Sequence, residues 1–541
     1  MTENNLQRVR VFVRAHADVL FAAAVFVLSI GIVHFVPQSP FVAYAGEKWL
    51  DPYPSGVIAT WYAAALAFSL AVAALAPHRP PRPFSTTHRA IVFAFLLYAA
   101  TCGLPAYGGT DAQILARLEY LQAARWIALA CGLGAFLRPA LALPLILYVL
   151  WFRLESDSLY GLGSDNIDIG AIVYYGLLLT VSWMLLAIAA RALPGVRRQM
   201  ESGDAYGPRA LLYVLVLCTA SYAANYVNSG LGKLALPGPP GTWLLENHTD
   251  ALIPVSHAIG TLPIAGLGWL AVLIYRLNVH FVQVINAMTL LVEMAPLIAI
   301  ARPRWLAIAF AAIVPFHLGI FLLSGIFFWK WALVDAVLAL VFWRLRTVRL
   351  PLVVALLSIA IVLLSPRWLP TARLAWYDST TLNNSYFVAE TEDGTKARVP
   401  SNYFLSASLP MAQMRFSSGF PTGVFGSTTS YADLRKANAC EMKLVTRPAP
   451  MAAKTWTGLE RFIREHHAWI VSRADADGRY AYDLYPHHVW SNPVLYEDFS
   501  AMDKRKIARY VFVTDYVCVG YDDNGLVRRV LGSDSRPISV R

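Results

Sequence analysis

The sequence predicts a mainly α-helical, polytopic transmembrane bundle of about eleven spans followed by an α+β extracytoplasmic domain. Three observations carry that reading. Of 541 residues, 57% are hydrophobic and only 15% charged, a composition far from that of soluble chains. The apolar residues gather in long blocks, most of them near the roughly 20 residues a helix needs to cross a bilayer. Beyond Pro366 the blocks give way to polar, aromatic, turn-rich sequence that continues to Arg541, the length of an ordinary domain. The chain therefore divides into a cytoplasmic N-terminus (1–18), a transmembrane domain (19–366) and a soluble domain (367–541).

The blocks, in order, are 19–36, 57–76, 90–107, 121–137, 140–151, 169–190, 210–227, 279–300, 305–323, 331–342 and 351–364. The fifth and tenth are short and suit tilted helices or half-helices. The net charge of +11 raises the question of nucleic acid, but the arginines sit in short loops beside apolar blocks, where topology explains them better. Arg8, Arg10 and Arg14 precede the first block; Arg79, Arg82 and Arg89 follow the second; Arg191, Arg197 and Arg198 follow the sixth. Arg302 and Arg304 follow the eighth, and Arg344, Arg346 and Arg349 the tenth. With the N-terminus inside and eleven spans, every cluster lies on the cytoplasmic side and the C-terminal domain outside, as in a bacterial inner-membrane protein. The apolar stretch 262–275, short and bounded by Pro263 and Arg276, would invert the later loops if it spanned, so it is expected to be interfacial or re-entrant. Ala43-Tyr44-Ala45 resembles a signal-peptide cleavage site, but the apolar core before it is long and distant, which favours an uncleaved first span.

In the C-terminal part, Asp393-Gly394 sits between strand-like runs within 386–399 and supplies the positive φ of a tight hairpin. Asp523-Asn524-Gly525 does the same between 510–521 and 526–531. Thr457-Gly-Leu-Glu460 has the pattern of a capping box opening a helix that runs to about Ile470. Cys440 and Cys518 are available to pair in an oxidising compartment, whereas Cys102, Cys131 and Cys218 read as small apolar residues of the bundle. The pairs His466-His467 and His487-His488 invite a metal, but none is expected: neighbours on a helix point about 100° apart, so the first pair is poorly placed to chelate one ion. No Gly-rich phosphate loop, nucleophile elbow or zinc spacing occurs.

Candidate chemistry lies at the outer ends of the spans. The segment Tyr226-Val-Asn-Ser-Gly-Leu-Gly-Lys-Leu234 ends an apolar block on a lysine among small residues. An ammonium near lipid is costly, so Lys233 must face a cavity, a partner or the interface, with snorkelling as the simplest explanation. Asp165 and Asn166, Asn225 and Asn228, Glu246, His248 and Asp250, His317 and Ser324, and Lys330 converge on the same side. Glu293 and Asp335 lie inside spans, as functional groups or as members of structural polar pairs with a partner such as Arg125 or Asn286. A lysine among apolar walls becomes a plausible base, a histidine can shuttle its proton and a carboxylate can set their charge states. That set suits deprotonation of a lipophilic substrate entering from the bilayer.

Three anchors carry a family resemblance. The Tyr226–Leu234 segment with Trp243 beyond it, Leu290-Leu-Val-Glu-Met-Ala-Pro296, and Pro315-Phe-His-Leu-Gly-Ile320 with Ser324-Gly-Ile-Phe-Phe328 together resemble the HTTM superfamily, which includes vitamin K-dependent gamma-carboxylase and its bacterial relatives. The resemblance covers about 19–364. It implies a multi-helix membrane part with a β-rich lumenal portion, and it puts Lys233 in the position of the base that deprotonates vitamin K hydroquinone, with Glu293 and His317 supporting it. Asp165, Asn166, Asn228 and Trp243 would then contact substrate, and reduced vitamin K or another quinol would be the cofactor. The chain departs from the carboxylase at Gly163-Ser164-Asp165-Asn166, which lacks that enzyme's histidine, and at Gly232, where the carboxylase has a second lysine. A second function class therefore stays open: a non-catalytic export, maturation or immunity factor whose outer domain binds a secreted peptide. A transporter ranks third, since repeated broken helices are not evident. The partners expected are the lipid bilayer and a secreted peptide or protein, not nucleic acid.

Overall fold

The structure, a computed structural model, describes residues 17–36, 55–75, 82–102, 107–158, 167–201, 209–369, 371–414, 422–441, 453–482 and 489–541. Its first part is a helical bundle: α1 (Ala17–Val36), α2 (Ser55–Leu75), α3 (Arg82–Cys102), α4 (Ala112–Ala135), α5 (Ala142–Ser158), α6 (Ile167–Ala192), α7 (Pro194–Glu201) and α8 (Arg209–Leu234). After the short α9 (Thr242–Glu246) and α10 (Leu252–Ile259) come α11 (Gly268–Ala299), α12 (Pro303–Ser324), α13 (Trp329–Arg344) and α14 (Leu352–Leu364). Each of the eleven apolar blocks has its core in one of these helices. Among the described residues six helices, α1, α2, α6, α8, α11 and α12, are long and apolar enough to cross a membrane. The protein is accordingly an integral membrane protein.

Burial separates the roles of these helices. Helix α8 is apolar on nearly every side and almost wholly buried, as an element at the centre of a bundle must be. It packs against α1, α6, α11 and α14. By contrast α11 and α12 keep most of their apolar side chains outward, with Val284, Leu291, Ile298 and Leu322 exposed, and α1 and α2 do the same with Val27 and Phe68. Apolar surface on that scale suits contact with lipid.

The stretch 262–275, expected to be interfacial or re-entrant, overlaps the start of α11. From Gly268 onward it belongs to α11, whose 32 residues form two helical segments that meet at a kink, where Phe281 leaves helical geometry with φ −111° and ψ 18°. Arg276 suggested a boundary by its charge, but its side chain reaches out to Asp523 in the C-terminal part and the helix runs on past it to the kink at Phe281.

The C-terminal part is built on a four-stranded antiparallel sheet of order β3-β2-β5-β6, from β2 (Thr381–Thr391), β3 (Lys396–Val399), β5 (Ile507–Asp522) and β6 (Gly525–Ser539). A small second sheet pairs β1 (Tyr377–Asp378) with β4 (Ser427–Thr428). Both expected hairpins form, turning at Gly394 with φ +85° and at Gly525 with φ +115°. Cys440 and Cys518 are joined by a disulfide with Cα atoms 5.7 Å apart. The helix expected from Thr457 starts four residues earlier, running Ala453–Val471, so Thr457 lies inside it rather than capping it. The earlier start brings Trp456 onto the sheet, 6.2 Å from the Phe512 ring, beside the buried Leu459, Phe462 and Ile463.

This sheet is not detached from the bundle. Arg398 of β3 donates to the carbonyls of Ala258 and Ile259 at the end of α10, at 2.8 and 3.0 Å. Val489 forms an isolated bridge with Ile326, between α12 and α13. Asn492 donates to Leu262 O at 2.8 Å, and Tyr521 bonds His257.

His466 and His467 serve the core. The Nε2–H of His466 donates to Tyr403 O at 2.9 Å, and His467 Nδ1 lies 3.2 Å from the Tyr510 hydroxyl. Burial lowers His466 to about 3 and His467 to about 4. In the unfolded chain both take a proton near pH 6.5, so acidification from that point towards pH 4 favours unfolding by roughly 2 kcal/mol per histidine at pH 5. We expect the thermal midpoint of the C-terminal part, followed by near-ultraviolet circular dichroism, to fall between pH 7 and 5, and His466→Phe/His467→Phe to flatten that dependence. Equal slopes in the two proteins would remove the histidines as its cause.

Candidate functional site

The site begins with spacing. Asn225, Asn228, Ser229 and Lys233 recur at i, i+3, i+4 and i+8, so the last turns of α8 present them along one side. Across that side runs an extended strap, residues 371–378, that leads from the bundle into the first strand. Asn225 Oδ1 accepts from the Ala372 N–H at 2.8 Å, and Asn228 Nδ2 donates to Ala372 O at 2.9 Å. Ser229 Oγ accepts from the Leu374 N–H at 3.0 Å, and Lys233 Nζ donates to Leu374 O at 2.7 Å. The Trp243 indole then donates to Trp376 O at 2.8 Å, and Asn247 Oδ1 accepts from the Asp378 N–H at 2.7 Å. An extended chain points its N–H and C=O groups the same way at every second residue, which is why residues 372, 374, 376 and 378 carry these contacts.

Two glycines make the approach close. A Cβ on Gly232 would lie 2.8 Å from the Ala375 Cβ and 3.0 Å from Arg373 Nε, so a side chain there would lift the strap. A Cβ on Gly230 would lie 2.8 Å from Met294 Sδ, so this glycine lets α11 press against α8 and brings Glu293 to Lys233.

Lys233 is buried, and its Nζ lies 2.7 and 2.9 Å from the two oxygens of Glu293, which is buried as well. Together with Leu374 O these acceptors match the three N–H bonds of an ammonium. The Trp243 ring lies 5.5 Å from the same nitrogen. A second couple stands nearby. Tyr226 and Tyr222 donate to Asp335 at 2.7 and 3.1 Å. His317 Nδ1 sits 3.4 Å from Asp335 Oδ2, close enough to feel its charge although the angles fall short of a hydrogen bond. Aromatic packing holds the group: Tyr226 and Phe328 flank the His317 ring at 5.8 and 5.5 Å, and Tyr222 stacks on Tyr175 at 4.9 Å.

Between the couples lies a cavity of about 50 Å³, with Glu293, His317, Tyr226, Asn225 and Ser229 on its bundle side and Ala372 and Leu374 of the strap on the other. Glu293 and His317 line it, whereas Lys233 reaches it only through Glu293. Moving one proton along the 2.7 Å Lys233–Glu293 hydrogen bond would turn the ion pair into a neutral amine and a neutral acid.

The three residues expected to be catalytic, Lys233, Glu293 and His317, thus come together. Asn228 and Trp243, expected to contact substrate, hold the strap. Asp165 and Asn166 lie outside the described residues. The intramembrane acids do not pair with Arg125 or Asn286: Arg125 donates to the carbonyls of Ala99 and Ala100, and Asn286 to those of Leu244 and Asn247. Sequence reasoning missed Tyr222, Ser229, Asn247, Asp378 and the strap. Tyr222 stands one turn before Tyr226, a spacing that could have disclosed it. Asp378, which accepts from the Trp376 indole at 3.0 Å and from the Asn247 amide at 3.0 Å, is pushed by burial up to about 6. Among the described residues no group of three or more metal-ligating side chains occurs. Compared with models of known families, with curated proteins and with solved structures, the chain matches none.

Removing one partner of a buried ion pair leaves the other uncompensated, typically at 3–5 kcal/mol, whereas replacing both with apolar groups of similar volume is often neutral. Lys233→Met is therefore expected to destabilise the folded protein by roughly 3 kcal/mol or more, and Lys233→Met/Glu293→Leu to recover most of that loss, as read from thermal unfolding in detergent. A single variant as stable as the wild type would show that the pair does not hold the fold.

Proposed function

We propose that the chain is an HTTM-type membrane enzyme that removes a proton from a lipophilic, quinol-type substrate at the cavity lined by Glu293 and His317. The convergence of both groups on one cavity, each backed by a buried partner, carries this reading. Glu293 would receive the proton, Lys233 behind it would set its charge and share its proton, and His317 with Asp335 would form a second acid–base group on the same space. At about 50 Å³ the cavity takes a water or a single substrate hydroxyl, far below the roughly 300 Å³ of ordinary ligand pockets. A quinol ring does not fit beneath the closed strap, so turnover would require the strap to lift. In this reading the eleven helical blocks cross the membrane with the N-terminus inside, and the site and the C-terminal domain face outward.

A second reading rests on the same lysine. All three ammonium protons are satisfied and the strap is closed, which suits Lys233 as a structural tie in a non-catalytic export, maturation or immunity factor. The outer domain, whose edge strand β6 exposes Val527 and Val530, would then bind a secreted peptide.

Purified protein, Lys233→Ala, Glu293→Gln and His317→Gln are to be incubated with reduced vitamin K, oxygen, labelled bicarbonate and a glutamate-rich peptide, with epoxide and label both followed. The enzyme reading expects turnover in the wild type that drops by about 10²-fold or more in each folded variant. No turnover in folded wild-type protein, with peptide capture lost only when the outer domain is removed, would favour the binding factor.

A further inference from the structure

A second cavity, of about 270 Å³, lies between α1, α2, α5 and α6. Its walls are Val33, Ala64, Ala65, Leu147, Val181 and Met184, and the exposed side chains at its rim, Ile32, Trp61, Phe68 and Ile188, join the apolar outer surface of α1, α2 and α6. We propose that this groove binds one anionic glycerophospholipid, with an acyl chain in the groove and the phosphate beside Arg191.

Three observations select that occupant. Along α6 the groove runs from Leu177 to Ile188, about 16 Å at the helical rise, which is one leaflet of a hydrocarbon core roughly 30 Å thick. The Trp61 indole is the one hydrogen-bonding side chain among its lining, and the neighbouring Ser29 and Ser182 hydroxyls bond each other at 2.8 Å. A quinol head or a peptide would leave its polar groups unpaired there, and a hydrocarbon chain has none to satisfy. Finally, Arg191 is exposed in the last turn of α6, three residues beyond Ile188 and so on the same side, at the depth where a charged headgroup would sit. Small side chains at Ala64 and Ala65 leave the room, because a larger residue on α2 would close the groove from within.

The test is native mass spectrometry of the full chain, stripped of lipid in detergent and titrated with phosphatidylglycerol or with phosphatidylcholine of the same acyl chains. Wild-type protein should retain a single phosphatidylglycerol in preference to phosphatidylcholine. Ala64→Trp, which fills the groove, should lower retention of both lipids at least tenfold. Arg191→Gln leaves the groove intact and should weaken phosphatidylglycerol alone by about fivefold, the worth of one arginine at an anionic surface. Equal retention of the two lipids by the wild type, or undiminished phosphatidylglycerol binding in Ala64→Trp with native melting behaviour, would overturn the proposal. Should Ala64→Trp fail to fold, the Arg191→Gln comparison decides alone.

Discussion

A buried ammonium needs three acceptors, and the end of α8 is organised around supplying them to Lys233. Glu293 gives two from α11, and the carbonyl of Leu374 gives the third from a segment 141 residues further along the chain. Each acceptor constrains a different element. The carboxylate fixes how deeply α11 lies against α8, and Gly230 removes the side chain that would have kept them apart. The carbonyl fixes the strap, and with it the point from which the C-terminal sheet departs.

The remaining polar side chains of α8 follow from the same need. A strap laid across a buried helix loses water from its amides and carbonyls, and those groups must be paired. Asn225, Asn228 and Ser229 pair them at residues 372 and 374, while Trp243 and Asn247 continue the row to Asp378. Residues resembling a substrate-binding motif in sequence thus serve first as backbone partners. The cavity is what remains between this row and the His317–Asp335 couple, and its lining is polar only where Glu293, His317 and the α8 side chains reach it.

Much of this is legible in the amino-acid sequence. Eleven apolar blocks announce helices because a bilayer span demands a long uninterrupted run, and Asp393-Gly394 and Asp523-Asn524-Gly525 announce hairpins because those turns require positive φ. Lys233, Glu293 and His317 stand out because charge in an apolar helix is expensive. The strap was not legible: its contribution is made by backbone groups, and Thr371-Ala-Arg-Leu-Ala-Trp376 carries no side-chain signature of that duty. Nor was the continuity of α11 past Arg276, whose partner Asp523 lies 247 residues away. The helical state of residues 453–456 was hidden as well, since Trp456 packs on Phe512 of a strand distant in sequence. Local chemistry announces itself in sequence; pairing at long range, and above all pairing through backbone, does not.

The lysine can therefore be structural and chemical at once. A closed strap holds the Lys233–Glu293 couple in its paired state, and a lifted strap would free one lysine proton and widen the cavity. Hydrogen–deuterium exchange of the full-length protein across residues 371–378 tests the dependence of the site on the strap most directly. Protection of the Ala372, Leu374 and Asp378 amides approaching that of the paired β2 and β5 strands is expected, with the first two lost in Asn225→Ala/Ser229→Ala. Exchange of those amides at the rate of a free loop in the native protein would contradict it.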